Sequence, residues 1–556
     1  MNLSNVRQEL IEILQKEERQ LSSNFPPQGF GLMEIARSMD NYWTGASTIY
    51  SSEGLDVDNV VTKMKFGINK AIRLTLLDSS KHPTVFLTPT NQDVSIWADT
   101  LIQSCGRIGL CENLLEIHRV GLCELTKSGQ TYRFNITTDN TGMELHEKSH
   151  FDWAVKRAIK SQKKLLSRKQ NERNKINKQM DRMVRPALEH YMTYDTNPRI
   201  DNYYLEIGKS EAAKMFGRDS FPDYVMFGGI EFRLYCEAVE IMVGGALKHL
   251  HFISLLLDKR PRMNFRNLCT LLDIRMRVSE YLQSALQVDA NTCRQIIDAL
   301  TLTPENVDYH CAVPGNFVAP AYIEVGGNKV ISPIWGNLSH PFIFLLNELK
   351  RKYERDWFDN VNQREKMFRE DIYKFFDGDR FYKLPDSLII KSGGKVLTDI
   401  DALVYDKLTG KIAVFQLKFQ DYFGYSLRQR SNRKLDMLKA NNWVDLIDKW
   451  VIEHSEEDLA LKIGITDPIT KSNFRLFVIG RNAANFSGSE LPDQRAAWGI
   501  LLQLHHLKQK FLNTADPIQN LFSSIMLDSP FKKEKPDLPT ESLEIGGKKI
   551  IVGTFD

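Results

Sequence analysis

Residues 398–420, TDIDALVYDKLTGKIAVFQLKFQ, decide how this chain is read. Residues 399–405 begin with polar–apolar alternation and continue through apolar residues. Residues 412–418 are mostly β-branched, aromatic and apolar, so both runs are predicted strands. Between them Lys407-Leu408-Thr409-Gly410 supplies a short turn that ends in Gly. If that turn closes symmetrically, Asp406 faces Lys411, Asp401 faces Gln416 and Asp399 faces Lys418. Opposed residues share a face, with Cβ atoms roughly 5 Å apart. One face then collects Asp399, Asp401, Gln416 and Lys418 at one end of the hairpin. Ile400, Ala402, Val404, Ala413, Phe415 and Leu417 form an apolar layer on the other.

Asp and Lys are depleted from strands and are seldom buried without partners, so four polar groups at the end of an apolar hairpin call for a chemical reason. Asp401, then Gln416 fifteen residues later, then Leu417-Lys418 at the end of an apolar strand, resembles the PD-(D/E)xK nuclease superfamily. The Gln-x-Lys form is similar to that of Mrr-like restriction endonucleases. The resemblance implies phosphodiester hydrolysis with Mg²⁺ or Mn²⁺ held by the Asp401 carboxylate, the Gln416 side-chain carbonyl and the Leu417 backbone carbonyl. The ion would polarise a phosphoryl oxygen and acidify a bound water. Lys418 would orient or help deprotonate that water and offset charge on the phosphorane.

The sequence departs from the family pattern in two places. Ile400 stands before Asp401 where the family name expects Pro, and Gln416 replaces a carboxylate. A neutral amide binds Mg²⁺ more weakly, so a further acid is expected. Val361, Glu365, Phe368, Ile372 and Phe375 recur as one stripe of a helix ahead of the hairpin, which sets Glu365 inside that stripe. The superfamily often carries a Glu on this helix, and Glu365 occupies that position by resemblance. Glu370 lies about 200° round from Phe368 and is expected in solvent.

The chain has 556 residues, enough for three or four domains with sizeable cores. Its net charge is only +3, so any nucleic-acid surface must be local. Seven Cys without a CxxC read as reduced thiols, which points to the cytoplasm. The first twenty residues read as an amphipathic helix with no apolar core of a secretion signal. Residues 241–257 are the most apolar, but Lys248, His249 and His251 interrupt them, so a buried helix is expected and no membrane span.

Residues 1–145 are predicted to form a mixed α/β domain, with strands near 84–87 and 131–137 and no GxxxxGK[ST] or GxGxxG phosphate loop. His146-Glu147-Lys148-Ser149-His150 matches HExxH, with Glu172 as a loosely spaced third ligand, which offers a zinc metalloprotease as one alternative. The charged residues around the motif argue for a solvated helix start. From Lys156 to Arg185 there are twelve Lys or Arg, among them Lys163, Lys164 and Arg168, against Glu172 and Asp181. A long basic helix is expected, with the phosphate backbone of a nucleic acid as a candidate partner. Helical spacing continues from 241 to 302, with Leu268, Leu271, Leu272 and Ile274 on it. A hairpin follows around Gly326-Gly327-Asn328, then a helix over 337–357.

After the organising hairpin, DYFGYSLRQRSNR (421–433) interleaves Tyr422, Phe423 and Tyr425 with Arg428, Arg430 and Arg433. Aromatic faces stack on bases while Arg takes phosphates, and the position suits substrate. Leu435, Leu438, Leu446, Ile447 and Trp450 continue as a core-facing helix. Residues 474–479 are an apolar run read as a central strand, and Asp493 is expected to cap a helix over 494–508. His505-His506 has no partner at metal spacing and reads as structural. Residues 513–540 read as a loosely held connector, and 542–554 as two short strands about Gly546-Gly547.

The expectation is an α/β and α+β multidomain protein. A mixed domain (1–145) and a mainly helical domain beginning with the basic helix (146–340) precede a restriction-endonuclease-like α/β core (341–512) and a tail (513–556). The resemblance implies an endonuclease, with DNA favoured over RNA, in bacterial restriction or antiphage defence. A protein partner or a second copy would bind through the N-terminal helical domains. A non-cleaving nucleic-acid-binding or scaffold protein on the same fold is the other alternative.

Overall fold

The structure is a computed structural model, and it describes residues 3–22, 26, 30–46, 57–81, 87–119, 121, 123–136, 149–150, 153–154, 156–157, 160, 170–312, 319–392, 394–420, 427–484, 492–512, 514–528 and 540–553. The chain mixes helix and sheet in several units.

The N-terminal unit packs helices Leu3–Leu21 and Gln92–Arg119 against strands β1 (Cys123–Ser128) and β2 (Thr131–Ile136). The first helix is amphipathic as expected, with Val6, Leu10 and Leu14 buried. Of the strand expected near 84–87, only Leu87 is described, and it is not in a strand.

Within the basic run, Lys156, Arg157 and Lys160 are helical, and a continuous helix is described over Gln170–Met183; residues 161–169 lie outside the described residues. From Val184 the chain turns into a small hairpin, β3 (Val184–Ala187) with β4 (Tyr191–Tyr194), because Pro186 lacks the N–H that a helix needs. Beyond it, helix Pro198–Ala212 and helix Phe232–Lys259 flank a two-residue hairpin, β5 (Met226–Phe227) with β6 (Ile230–Glu231). Helix Phe232–Lys259 is long and apolar enough to cross a membrane by length and composition, but 67% of its most apolar stretch is buried in the fold. Gly208 and Gly244 let the two helices touch: a Cβ on Gly208 would stand 2.6 Å from the Gly244 nitrogen.

Residues 271–274 are a strand, not the expected helix. Leu271–Ile274 (β7) is the edge of a four-stranded sheet with β8 (Thr301–Leu302), β9 (Tyr322–Val325) and β10 (Lys329–Ser332). The β9–β10 hairpin turns at Asn328, whose φ of 57° is the left-handed conformation Asn tolerates. The helix expected over 337–357 is three pieces, Ile334–Leu338, Pro341–Lys352 and Glu354–Asp359, since Pro341 starts a helix more readily than it continues one.

The C-terminal unit is a five-stranded sheet in the order β11 (Phe381–Lys383), β14 (Ala402–Asp406), β15 (Ile412–Lys418), β16 (Phe474–Gly480), β17 (Ala496–Ile500). The first three strands run antiparallel, and β15, β16 and β17 run parallel. A two-stranded ribbon, β12 (Leu388–Ser392) with β13 (Lys395–Ile400), stands between β11 and β14 in the chain. One sheet face packs Val414, Leu476 and Val478 against Met437, Ala440, Trp443, Val444 and Ile447 of helix Leu427–Glu453. The other packs Val404, Phe415 and Ile479 against helices Val361–Tyr373, Leu501–Phe511 and Pro517–Leu527. Each such large apolar side chain contributes about 1.5–3 kcal/mol by leaving water. Leu435, expected to face the core, is 54% exposed, and Met437 takes the inward position.

The predicted helix 494–508 begins only at Leu501. Residues 496–500 are the wholly buried strand β17, whose small residues let it lie between packed helices. Residues 517–527 are likewise no loose connector: Ile518, Leu521 and Ile525 are buried in the C-terminal core. Strands β18 (Glu541–Ile545) and β19 (Lys548–Gly553) form the expected hairpin, and β19 lies parallel to β2. The last described residues thus complete the N-terminal sheet, in the order β1-β2-β19-β18.

Candidate active site

The organising hairpin has the expected register, with Ala402 opposite Phe415 and Tyr405 opposite Ile412. Its turn is built by Asp406, fully buried, whose carboxylate accepts the Leu408 N–H at 3.1 Å and the Thr409 hydroxyl at 2.8 Å. Gly410 closes the turn at φ 70°. Arg380 grips the same carboxylate through two bonds of 2.7 and 2.6 Å.

At the other end the strand is not continuous. Asp401 is a bend where the chain leaves the ribbon strand β13 and enters β14. Two sequence expectations fail here. Asp399 pairs with Ile389 of β12, not with Lys418. Ile400 falls on the face that holds Leu403 and Val414, while Ala402 falls on the other, because the bend breaks the two-residue alternation.

The bend places Asp401 where β15 has lost its neighbour. Phe415 directs its carbonyl toward β14 and accepts the Asp401 N–H at 3.1 Å. Leu417, two residues on, therefore presents its N–H and C=O to the same edge. With β14 ended, the Leu417 N–H donates to Asp401 Oδ2 at 2.6 Å. The buried Gln416 donates its Nε2 to the same oxygen, which leaves the amide carbonyl as an acceptor. Asp401, Gln416, Leu417 and Lys418 all line one open cavity of about 310 Å³, together with Glu365, Leu397, Thr398, Asp399, Lys439, Asn442, Trp443 and Leu446.

Glu365 reaches this cavity from the helix Val361–Tyr373, but not from within its buried stripe. Arg364, Phe368 and Ile372 are the buried positions, and Glu365 stands at the solvent edge. The expected stripe is thus displaced by one residue at its first turn. Glu370 is exposed, as its angle required.

Burial pushes the Asp401 carboxyl up to about 6; Asp399 adds to that, while the Leu417 N–H, Lys418 and Gln416 oppose it. Glu365 is also raised, by desolvation first and then by Asp399, against the pull of Lys418 and Arg369. The cavity is an acidic cluster with too little positive charge of its own, the electrostatics a divalent cation would relieve. Its donors are hard oxygens, which suits Mg²⁺ or Mn²⁺ and not a soft metal. Among the described residues no three His, Cys, Asp or Glu converge closely enough to hold an ion alone. The Gln416 and Leu417 carbonyls, water and substrate phosphate would supply the remaining ligands, as is usual for Mg²⁺.

Lys439, Asn442 and Trp443 are cavity residues that the sequence reading did not single out. They share one face of helix Leu427–Glu453, and Trp443 Nε1 donates to the Asp399 carbonyl at 2.6 Å, which ties the ribbon to the helix. Of the predicted nucleic-acid residues, Arg428, Arg430 and Arg433 lie on the first turns of this helix. Arg433 is roughly 9 Å along the axis from Lys439, at 1.5 Å per residue. Tyr422, Tyr425, Lys163, Lys164 and Arg168 lie outside the described residues.

His146 and Glu147 of the HExxH match also lie outside them. The buried His150 is engaged elsewhere: its Nδ1 is 3.1 Å from His506 Nδ1 and its Nε2 is 3.3 Å from Asp528. Glu172 is exposed on its helix. His506, read as structural, meets His150 from 356 residues earlier in sequence. All seven cysteines are buried free thiols. Compared with protein-family models, with curated proteins and with solved structures, the chain gives no match in any of the three.

Proposed function

We propose that the chain is a divalent-metal-dependent phosphodiester hydrolase whose C-terminal unit is a nuclease domain of the PD-(D/E)xK type. More particularly, we read it as a DNA endonuclease. The observation that carries this is the convergence of Asp401, Gln416, the Leu417 main chain and Lys418 on one open acidic cavity at the end of two paired strands. The order helix Val361–Tyr373, β11, β14, β15, helix Leu427–Glu453, β16 supports it, with three antiparallel strands and a parallel fourth. A restriction-endonuclease-like core has this arrangement.

In this reading Asp401 is the central oxygen ligand, with the Gln416 and Leu417 carbonyls beside it and Glu365 at the rim. Mg²⁺ or Mn²⁺, when held there, would supply Lewis acidity and acidify a nearby water. Lys418 orients the attacking water and offsets charge as the phosphorane forms. Lys439 and the arginines at the start of its helix would take flanking phosphates. Restriction or antiphage defence is the setting that the family resemblance implies, and the unpaired cysteines favour the cytoplasm. The N-terminal units would select the substrate or a partner protein.

The test is incubation of purified protein with supercoiled plasmid and with structured RNA in Mg²⁺, in Mn²⁺ and in EDTA. Nicking of DNA that depends on metal and is abolished by EDTA supports the proposal. Metal-independent binding without cleavage supports the non-cleaving alternative instead. The zinc-protease reading is not carried forward, since His150 is committed to Asp528 and His506.

A further inference from the structure

The residue after Lys418 is Phe419, and two buried guanidinium groups lie over its ring. Arg364 sits 4.0 Å from the ring centroid and Arg481 5.0 Å. Both arginines are about 5% exposed. Buried Arg is uncommon without a task that repays its desolvation, and two of them in contact with one aromatic ring constrain that ring.

Neither arginine is confined to the C-terminal unit. Arg364 donates its Nε to the Ser220 carbonyl at 3.1 Å and lies over the rings of Phe221 and Trp357, which belong to the core of the helical unit before it. Arg481 bridges two carboxylates, Asp371 on the Glu365 helix at 2.7 Å and Asp219 of the helical unit. Its main-chain N–H donates to the Lys418 carbonyl at 2.9 Å. Gly480 makes that possible, because a Cβ there would collide with the Ala483 carbonyl where the chain folds back after β16. Arg481 therefore holds Lys418 by its backbone and Phe419 by its side chain, and is itself held by Asp219.

We infer that Arg364, Phe419 and Arg481 are positioning residues that set the placement of Lys418, and that Asp219 and Ser220 couple this placement to the helical unit. The inference rests on the nuclease reading of Lys418. A shift of segment 219–221 is transmitted to the site through two short links: Asp219 to Arg481 to the Lys418 carbonyl, and Ser220 to Arg364 to the Phe419 ring. Displacements of about 1 Å at a catalytic group can cost up to a hundredfold in rate, so a shift of that size carried along these links would be read in turnover. A substrate or partner that moves the helical unit would change turnover without touching the metal ligands.

The test uses the full-length protein, supercoiled plasmid and Mn²⁺, with kcat and KM measured separately for Phe419→Leu, Phe419→Tyr, Asp219→Asn and the control Asp401→Ala. Leucine keeps the apolar bulk and removes the ring faces. Phe419→Leu should lower kcat about tenfold with KM unchanged, and Phe419→Tyr should restore it to within about twofold of the parent. Asp219 has an exposed side chain, so its Asn variant should fold normally and lower kcat about fivefold. Wild-type kcat in Phe419→Leu, or a Tyr variant as slow as the Leu variant, overturns the positioning role. Wild-type kcat in Asp219→Asn overturns the coupling. If Asp401→Ala cleaves normally, the nuclease reading itself has failed; loss of cleavage there beside a normal Phe419→Leu defeats only this inference.

Discussion

The main-chain N–H of Leu417 donates to the carboxylate of Asp401 at 2.6 Å, so an aspartate side chain replaces the strand that β15 lacks at its carboxyl end. Two aspartates of one hairpin, Asp401 and Asp406, are thereby perturbed in opposite senses. Burial raises the first to about 6. The second is also penalised by burial, but Arg380, Thr409 and the Leu408 N–H more than offset this and hold it below the usual carboxylate range.

The sign for Asp401 follows from proton counting. Its folded-state pKa lies above the ordinary value of 3.8, so between about 4 and 6 the folded chain holds more protons than the unfolded one and loses stability as pH rises. Without metal, Asp401→Asn should remove this part of the slope and raise the melting temperature at pH 7. Since a cation must displace the proton, Mg²⁺ or Mn²⁺ affinity measured by calorimetry should be weaker at pH 5 than at pH 7. Equal affinity at both would contradict the assignment of Asp401 as a ligand.

For Asp406 the sign is reversed. Its paired, depressed carboxylate stabilises the fold above the unfolded pKa, and that contribution is lost as pH falls through the folded value. Asp406→Ala, measured by denaturant titration at pH 7, should cost about 3 kcal/mol because the buried turn loses its acceptors and Arg380 its partner. The difference from the parent should shrink below pH 4.

Much of this hairpin was legible beforehand. The turn length and the paired positions of Asp406 and Lys411 set the register, and the register brings Asp401 level with Gln416. The break at Asp401 was not legible, because Ile400 and Ala402 on either side of it continue an alternation that a straight strand would also show. Residues 496–500 were misread because Trp498 of the strand stands at helical spacing from Leu501 and Leu502, which open the helix that follows. Lys439 and Asn442 look like any solvated helix face, and both are exposed; only the fold shows that they border the same cavity as Leu397 and Thr398 of the ribbon. The partner of the C-terminal hairpin lies in strand β2, more than 400 residues earlier, and no local pattern encodes so distant a pairing.

That pairing makes its own prediction. Ile550 is fully buried with Leu10, Tyr132 and Phe134 in the N-terminal core. Ile550→Ala should cost about 2–5 kcal/mol, read as earlier unfolding of the N-terminal unit by hydrogen exchange, with protection in β14–β16 unchanged.

Trp443 holds the ribbon at the Asp399 carbonyl. Trp443→Phe keeps most of the packing and removes one hydrogen bond, worth about 1 kcal/mol. Hydrogen exchange of the amides in β13 should quicken, since nothing else joins that carbonyl to the helix among the described hydrogen bonds.

The central claim is that Asp401 organises a metal-dependent phosphodiesterase site. It is tested most directly by cleavage of supercoiled plasmid in Mn²⁺ by the parent protein and by Asp401→Ala, with circular dichroism to verify that both are folded. The account predicts metal-dependent nicking by the parent and a loss of at least about a hundredfold in the variant. Equal cleavage by a folded Asp401→Ala would contradict it.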